Sequence, residues 1–472
     1  MKLLRFSIFV LSCLLPVFAA AKLKLADAFG DAMVIQRDIS VPVWGTADPD
    51  VEVSVSFAGQ KKTTRASATG EWQVKLSPLV ASSENRNLTV SDGTTTVEYE
   101  KVLVGEVWLC SGQSNMEQGI LHRGTYDGAK EAAKADFPLI RIRYAKRATS
   151  SSPRTNFQGS SWRACSPESL KHGNWDGFTA VGYLFGKELH QRLNVPVGII
   201  QCAWGGTRIE PWTTPEGFKS VPELSGIASA RNRKISSSTP SALYNAMIHP
   251  LVPYAIRGAI WYQGESNRGE TDYAAKMRAL IQGWRIAWNQ GDFPFYYVQL
   301  APFIYERGNA ADRLAVTWEQ QTLALEIPNT GMIVTTDIGN LRDIHPGNKR
   351  DVSARLARLA LSRIYDKKFT DDASPLFKNA RIESPKKIIV EFTNVNSGLT
   401  TRDGKPPSHF EVAGRDGIFH PATATIVNNT VEVSCEELTS LKQVRFAWTE
   451  SAEPNLINGD KLPAGPFRWK AK

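Results

Sequence analysis

What most constrains this chain is a change of rhythm along it. Beyond Val102, short apolar runs alternate with helical stretches, whereas on either side of that region strand follows strand with no helical period. Val197-Gly-Ile-Ile-Gln-Cys-Ala203 and Ile256 to Tyr262 are apolar along almost their whole length, the signature of strands buried on both faces of a parallel sheet. Val181 to Leu193 suits a helix, and Tyr273, Met277, Leu280, Ile281, Trp284 and Trp288 recur at the spacing of one core-facing stripe. Leu139 to Tyr144, Phe295 to Leu300 and Met332 to Thr336 read as further strands, and Val352 to Tyr365 as a further helix. Such alternation predicts an α/β domain, a parallel sheet with helices on both faces, which we place at residues 101–375.

The flanks differ. From Lys22 to Glu100, half-alternating runs such as Val51 to Phe57 and Trp72 to Leu76 are punctuated by Gly45, Asp48-Pro49-Asp50, Gly59, Gly70 and Asp92-Gly93. That spacing predicts an N-terminal β-sandwich module over residues 22–100. Strands without helices return in Lys387 to Phe392, Thr430 to Ser434 and Gln443 to Trp448, giving a C-terminal β module over residues 376–472. Two irregular segments, Ala145 to Gly177 and Thr213 to Pro240, interrupt the α/β region and are expected to shape a cleft. The second carries the basic Arg231-Asn-Arg-Lys234.

Residues 1–21 read as a secretion leader, with Lys2 and Arg5 before an apolar Phe6–Phe18 core and Ala19-Ala20-Ala21 for cleavage. A periplasmic or secreted protein is expected. Later apolar runs are too short to span a membrane. The net charge of +9 is scattered, with no Lys/Arg block of the kind that binds nucleic acid. There is no Cys-x-x-Cys and no His-Glu-x-x-His, so no zinc site is expected, and the serine chemistry set out below requires neither a metal nor an organic cofactor. Cys110 and Cys202 fall at strand ends, where packing accounts for them.

Catalytic chemistry is written at the ends of predicted strands, where open α/β sheets place their sites. Trp108-Leu-Cys-Ser-Gly-Gln-Ser114-Asn-Met-Glu117 ends an apolar run in small polar residues. A serine placed there becomes a nucleophile if an imidazole takes its proton and backbone or amide donors hold the oxyanion. Of the seven histidines, His345 follows the strand Met332 to Thr336, in Asp337-Ile-Gly-Asn-Leu-Arg-Asp343-Ile-His345-Pro346, whereas His122 lies in the polar stretch beyond the serine turn. Trp204-Gly205-Gly206-Thr207-Arg208 and Trp261-Tyr-Gln263-Gly264-Glu265-Ser266-Asn267 end the two intervening strands.

These four blocks together resemble the sialate O-acetylesterase family, the carbohydrate acetylesterase branch of the SGNH hydrolases. The resemblance extends to Met33-Val-Ile-Gln-Arg37, Trp44-Gly45, Leu243 to Pro250 and Pro463 to Arg468. It implies an SGNH-type sheet and a serine esterase that removes O-acetyl groups from sugars, most readily O-acetylated sialic acids. In that scheme Ser114 is the nucleophile and His345 the base. The oxyanion hole would comprise the Ser114 amide, Gly205 or Gly206, and the Gln263 side chain, since an amide can donate where a carboxylate cannot. Arg208 and Glu265 would lie near the substrate. The family's usual acid position holds Arg342, so Asp343 is chosen as the acid, with Asp337 the alternative and a Ser-His dyad the fallback. Two other readings remain: an acetylesterase for plant polysaccharides such as acetylated xylan, and a glycan-binding protein with a vestigial centre. Ser114 lies outside any Gly-x-Ser-x-Gly elbow, which excludes the α/β-hydrolase arrangement.

Overall fold

The computed structural model describes residues 22–229, 234–305 and 312–471. The expected leader, and Arg231 to Arg233 of the basic cluster, lie outside the described residues.

The central sheet runs in the order Arg163–Cys165, Phe137–Tyr144, Val197–Ala203, Thr96–Gly112, Gly258–Tyr262, Phe295–Val298, Thr330–Ile333. Every neighbouring pair is parallel except the first, where Arg163–Cys165 adds an antiparallel edge. That edge strand comes from the first irregular segment and carries no strand signature of its own. Two other details depart from the sequence expectation. The last strand spans Thr330–Ile333, ending before the predicted Met332–Thr336 run does, and a helix at Arg313–Leu323 joins the outer layer.

Alternate residues along the sheet point into two separate cores. Leu109, Ile200, Ala259, Trp261, Phe295, Tyr297 and Met332 face one side, with the helix Tyr273–Trp288. Trp108, Cys110, Ile199, Ile260, Tyr262, Tyr296 and Ile333 face the other, with Ala180–Leu193 and Lys349–Arg363. The period-two alternation of strand side chains produces this division. Side chains fix the helix starts: Thr179 accepts from the Gly182 amide, and Asn348 from the Asp351 amide.

The N-terminal strands form two layers. Lys24–Leu25, Val41–Thr46 and Glu71–Leu76 make one sheet, while Glu52–Phe57, Gln60–Arg65 and Ser82–Ser91 build outward from Thr96–Gly112. The predicted boundary at residue 100 therefore falls inside a single strand. Thr96–Glu100 pairs antiparallel with Ser82–Ser91 and alternates in exposure, and the same strand then becomes fully buried from Val102 through Gly112 as the middle strand of the central sheet. The sandwich interior and one face of the central sheet form one contiguous core, from Leu23 through Val334. The C-terminal strands, by contrast, enclose a core of their own around Val390, Val412, Val431 and Phe446. Cys110, Cys165, Cys202 and Cys435 are buried free thiols. No helix among the described residues is long and apolar enough to cross a membrane.

Candidate active site

Parallel register brings three strand ends level. Ala203 and Tyr262 both pair with Gly112, so the segments that follow each open on the same rim. Gly112 sits at φ 139°, and a Cβ there would lie 2.2 Å from the Tyr262 carbonyl oxygen. Only glycine permits so tight an exit. The chain passes through extended Gln113 and starts a one-turn helix, Ser114–Glu117. As its first residue, Ser114 has an amide with no intrahelical acceptor. From Ser111 through Ile120, Ser114 alone is not fully buried.

Ser114 opens into a cleft of about 620 Å³ lined also by Gln113, Arg147, Trp175, Gly206 and His345. Glu117, Asn174, Gly205, Glu265, Ser266, Tyr305 and Ile344 complete the lining. Both Ser114 and His345, predicted on separate strand ends, thus meet in one cavity. The His345 ring packs edge-on to Trp175, with centroids 5.1 Å apart. Burial, and then the Lys349 charge, push the His345 imidazole below its ordinary value, with Asp343 pulling the other way. A histidine so held is neutral at neutral pH, as a base must be.

Of the two acids considered, Asp343 is beside the ring. Its Oδ1 accepts the His345 backbone N–H at 2.9 Å and lies 3.6 Å from His345 Nδ1. Asp337 is occupied elsewhere: its two oxygens accept Arg355 Nη1 at 2.8 Å and Nη2 at 2.6 Å.

Two of the predicted site residues, Gln263 and Arg208, do not line the cleft. Gln263 is fully buried and does not line the cleft. Its Nε2 donates to Gln113 Oε1, the Thr207 carbonyl and Asn267 Oδ1, while Tyr273 Oη donates to its Oε1. With every polar atom engaged it braces the loops and does not face an oxyanion. Gly205 does line the cleft, but its amide donates to Glu117 Oε2 at 2.7 Å, leaving Gly206 as the available donor of the pair. Gly206 lines the cleft at φ 73°, and among the described residues nothing in the protein accepts its N–H. Arg208 is outside the lining. Its guanidinium is held by Glu210, Glu270 and the Ser266 carbonyl, tying two rim loops together.

Glu265 does reach the cleft. Its Oε1 accepts from Asn115 Nδ2 at 2.7 Å, Asn115 Nδ2 also donates to the Ile344 carbonyl at 3.0 Å, and Lys349 Nζ donates to Asn115 Oδ1. Burial pushes the Glu265 carboxyl up and the Lys349 ammonium down to about 7. This buried relay carries the serine helix to the histidine loop. Sequence reasoning missed Lys349, Arg147 and Trp175. The only prior signal was that Arg147 and Trp175 fall in the irregular segment expected to shape the cleft.

Comparison with known proteins agrees with the fold and with the family resemblance. The family model described as carbohydrate esterase, sialic acid-specific acetylesterase matches residues 104–361. Sialate O-acetylesterase of Homo sapiens is 30% identical over 78% of this chain and 76% of its own length. The Pongo abelii sialate O-acetylesterase is 29% identical over 94% of this chain and 92% of its own. A crystal structure of a carbohydrate acetylesterase from Xanthomonas citri superposes with a TM-score of 0.86 at 36% identity, covering 95% of this chain and all of that one. The chain belongs to the sialic acid-specific acetylesterase family of carbohydrate esterases, and is a carboxylic ester hydrolase acting on O-acetylated carbohydrates.

Proposed function

We propose that hydrolysis proceeds through an acetyl-enzyme on Ser114, and that O-acetylated sialic acids are the substrate. The observation that carries the mechanism is that Ser114, opening a one-turn helix after its strand, and His345, on the loop after the last sheet strand, line one cleft. His345 accepts the Ser114 Oγ proton as Oγ attacks the acetyl carbonyl carbon. Asp343 favours the imidazole tautomer with its proton on Nδ1 and stabilises the imidazolium. The tetrahedral oxyanion is met by the Ser114 and Gly206 amides, which exist before the charge develops and need no reorganisation. His345 returns the proton to the departing sugar hydroxyl, and water then attacks the acetyl-enzyme with the same base. The sialate assignment is supported by the description of the matched family and by the curated relatives. The leader-like residues 1–21 support export to the periplasm or beyond.

The test is acetate release from O-acetylated sialic acids and from acetylated xylan, by wild type and by Ser114→Ala. Sialate turnover that vanishes in Ser114→Ala is the expected result. Equal rates in the two proteins would overturn the mechanism, and faster release from xylan would overturn the substrate.

A further inference from the structure

Three residues from the described site have no assigned part in that scheme: Glu117, Arg147 and the occupied amide of Gly205. Glu117 shares the one-turn helix of Ser114, and its carboxylate is fully buried. A buried negative charge that close to the nucleophile opposes the negative charge of the tetrahedral intermediate, and Coulomb repulsion at a few ångströms slows a reaction on the order of a hundredfold. The structure cancels it. Arg147 Nε donates to Glu117 Oε1 and Arg147 Nη2 to Oε2, both at 2.7 Å, the two-pronged geometry that suits guanidinium and carboxylate.

The same carboxylate also accepts the Gly205 amide, at Oε2, at 2.7 Å. Gly205 is pressed against the nucleophile: a Cβ there would lie 3.3 Å from both Glu117 Oε2 and Ser114 Cβ. Next comes Gly206 in left-handed backbone. The strut also reaches the neighbouring strand ends. Arg147 follows the Phe137–Tyr144 strand, its guanidinium lies 6.0 Å from the Trp204 ring, and the Trp204 amide donates to the Gly112 carbonyl at 3.1 Å.

We infer that Glu117 and Arg147 are positioning residues for acetyl transfer, a charge-cancelled strut that holds the Gly205–Gly206 turn against Ser114 so that the Gly206 amide meets the oxyanion. The inference rests on the Ser114 reading above. It also explains why a carboxylate, not an amide, occupies position 117. A carboxylate accepts from Arg147 twice and from Gly205 once. A glutamine would turn an NH2 towards one of those donors, setting donor against donor.

The test is a double-mutant cycle of Glu117→Gln and Arg147→Met, reading kcat and KM on a small aryl acetate and on an acetylated sugar, with thermal melts alongside. Each single variant is expected to lose about a hundredfold in kcat with KM within about threefold. Glu117→Gln suffers the donor clash, and Arg147→Met the unpaired buried charge. The double variant lacks both defects, because the glutamine oxygen can turn to Gly205. It is expected to recover to within about tenfold of wild type, a strong coupling between neighbours. A change confined to KM would assign Arg147 to substrate binding and overturn the inference. So would additive losses in the double variant, or kcat falling only in step with the folded fraction. Should Ser114→Ala retain wild-type rates, the underlying serine reading fails instead, whatever the cycle gives.

Discussion

Gly112→Ala is a sharp probe of how the nucleophile is presented. A Cβ at this position meets the Tyr262 carbonyl oxygen at 2.2 Å, its carbon at 2.7 Å and its nitrogen at 3.0 Å. All three are backbone atoms of the next strand, which cannot swing away as a side chain could. The Gln113 amide is tied to the same carbonyl at 3.0 Å. Restoring ordinary contact at about 3.5 Å therefore requires the two strand ends to part, and the serine turn moves with them. Positive-φ backbone adds about 1–2 kcal/mol once a side chain is present, and steric overpacking about 1–3 kcal/mol. The sum is a destabilisation of roughly 2–5 kcal/mol. With an unfolding entropy of about 2.1 cal/mol/K per residue, a chain of 472 residues unfolding as a unit would lose roughly 2–5 °C of Tm. The catalytic loss should be larger than that suggests, because an ångström of misplacement at the reacting atoms costs on the order of a hundredfold. Calorimetry paired with acetate-release kinetics measures both. Wild-type kcat per folded molecule in Gly112→Ala would refute the claim that this close approach sets the serine.

Further outcomes follow from the surrounding groups. The catalytic form of His345 is the neutral one, and burial together with Lys349 holds its pKa below 6.5; the rate should thus fall as pH drops through a midpoint under that value. Asp343 raises the imidazole, so Asp343→Asn should move the acid limb to still lower pH and reduce kcat by roughly tenfold to a hundredfold; a limb moving upward would contradict the assignment. Asp337→Ala should leave kcat within about threefold, yet cost about 1–3 kcal/mol in a denaturation curve by stranding the nearly buried Arg355. Tyr254 Oη donates to the buried Val34 carbonyl at 2.7 Å; Tyr254→Phe should lower stability by about 1–2 kcal/mol at unchanged kcat, and an unaltered melt would count against that bond.

What the sequence revealed was whatever local pattern dictates. Val197–Ala203 is a strand over the very residues predicted, because a run buried on both faces leaves no polar residue to blur its ends. Every residue of the Tyr273–Trp288 stripe named from its period is buried. Positions at strand ends were legible too, since Ser114, Gly205, Gly206, Glu265 and His345 all line one cleft. Side-chain partners were not. Gln263 and Arg208 each have a partner close in sequence, Asn267 and Glu210, and a distant one, Thr207 and Glu270, on a loop that only the fold brings near. Glu117 stood in plain view within the serine block, but its charge acquires meaning only through Arg147, thirty positions away on another strand's loop. The expected boundary at residue 100 falls inside a strand for a related reason. A strand that passes from a half-exposed layer into a buried one changes its residue pattern midway, and a change of pattern reads as a break.

That shared strand limits what can be done with this protein by recombination. A graft that exchanges the N-terminal sandwich for another module must splice inside Thr96–Gly112, not in a linker. Towards the rim, from Val107 to Cys110, its side chains alternate between two packed interiors, so an insertion or deletion of one residue before them inverts their partners up to the rim. Trp108 and Leu109 would trade sides, and the serine turn would leave the sheet rotated away from His345. The sandwich is therefore no exchangeable cassette: its frame is locked to that of the nucleophile, and any chimera inherits either both in phase or neither.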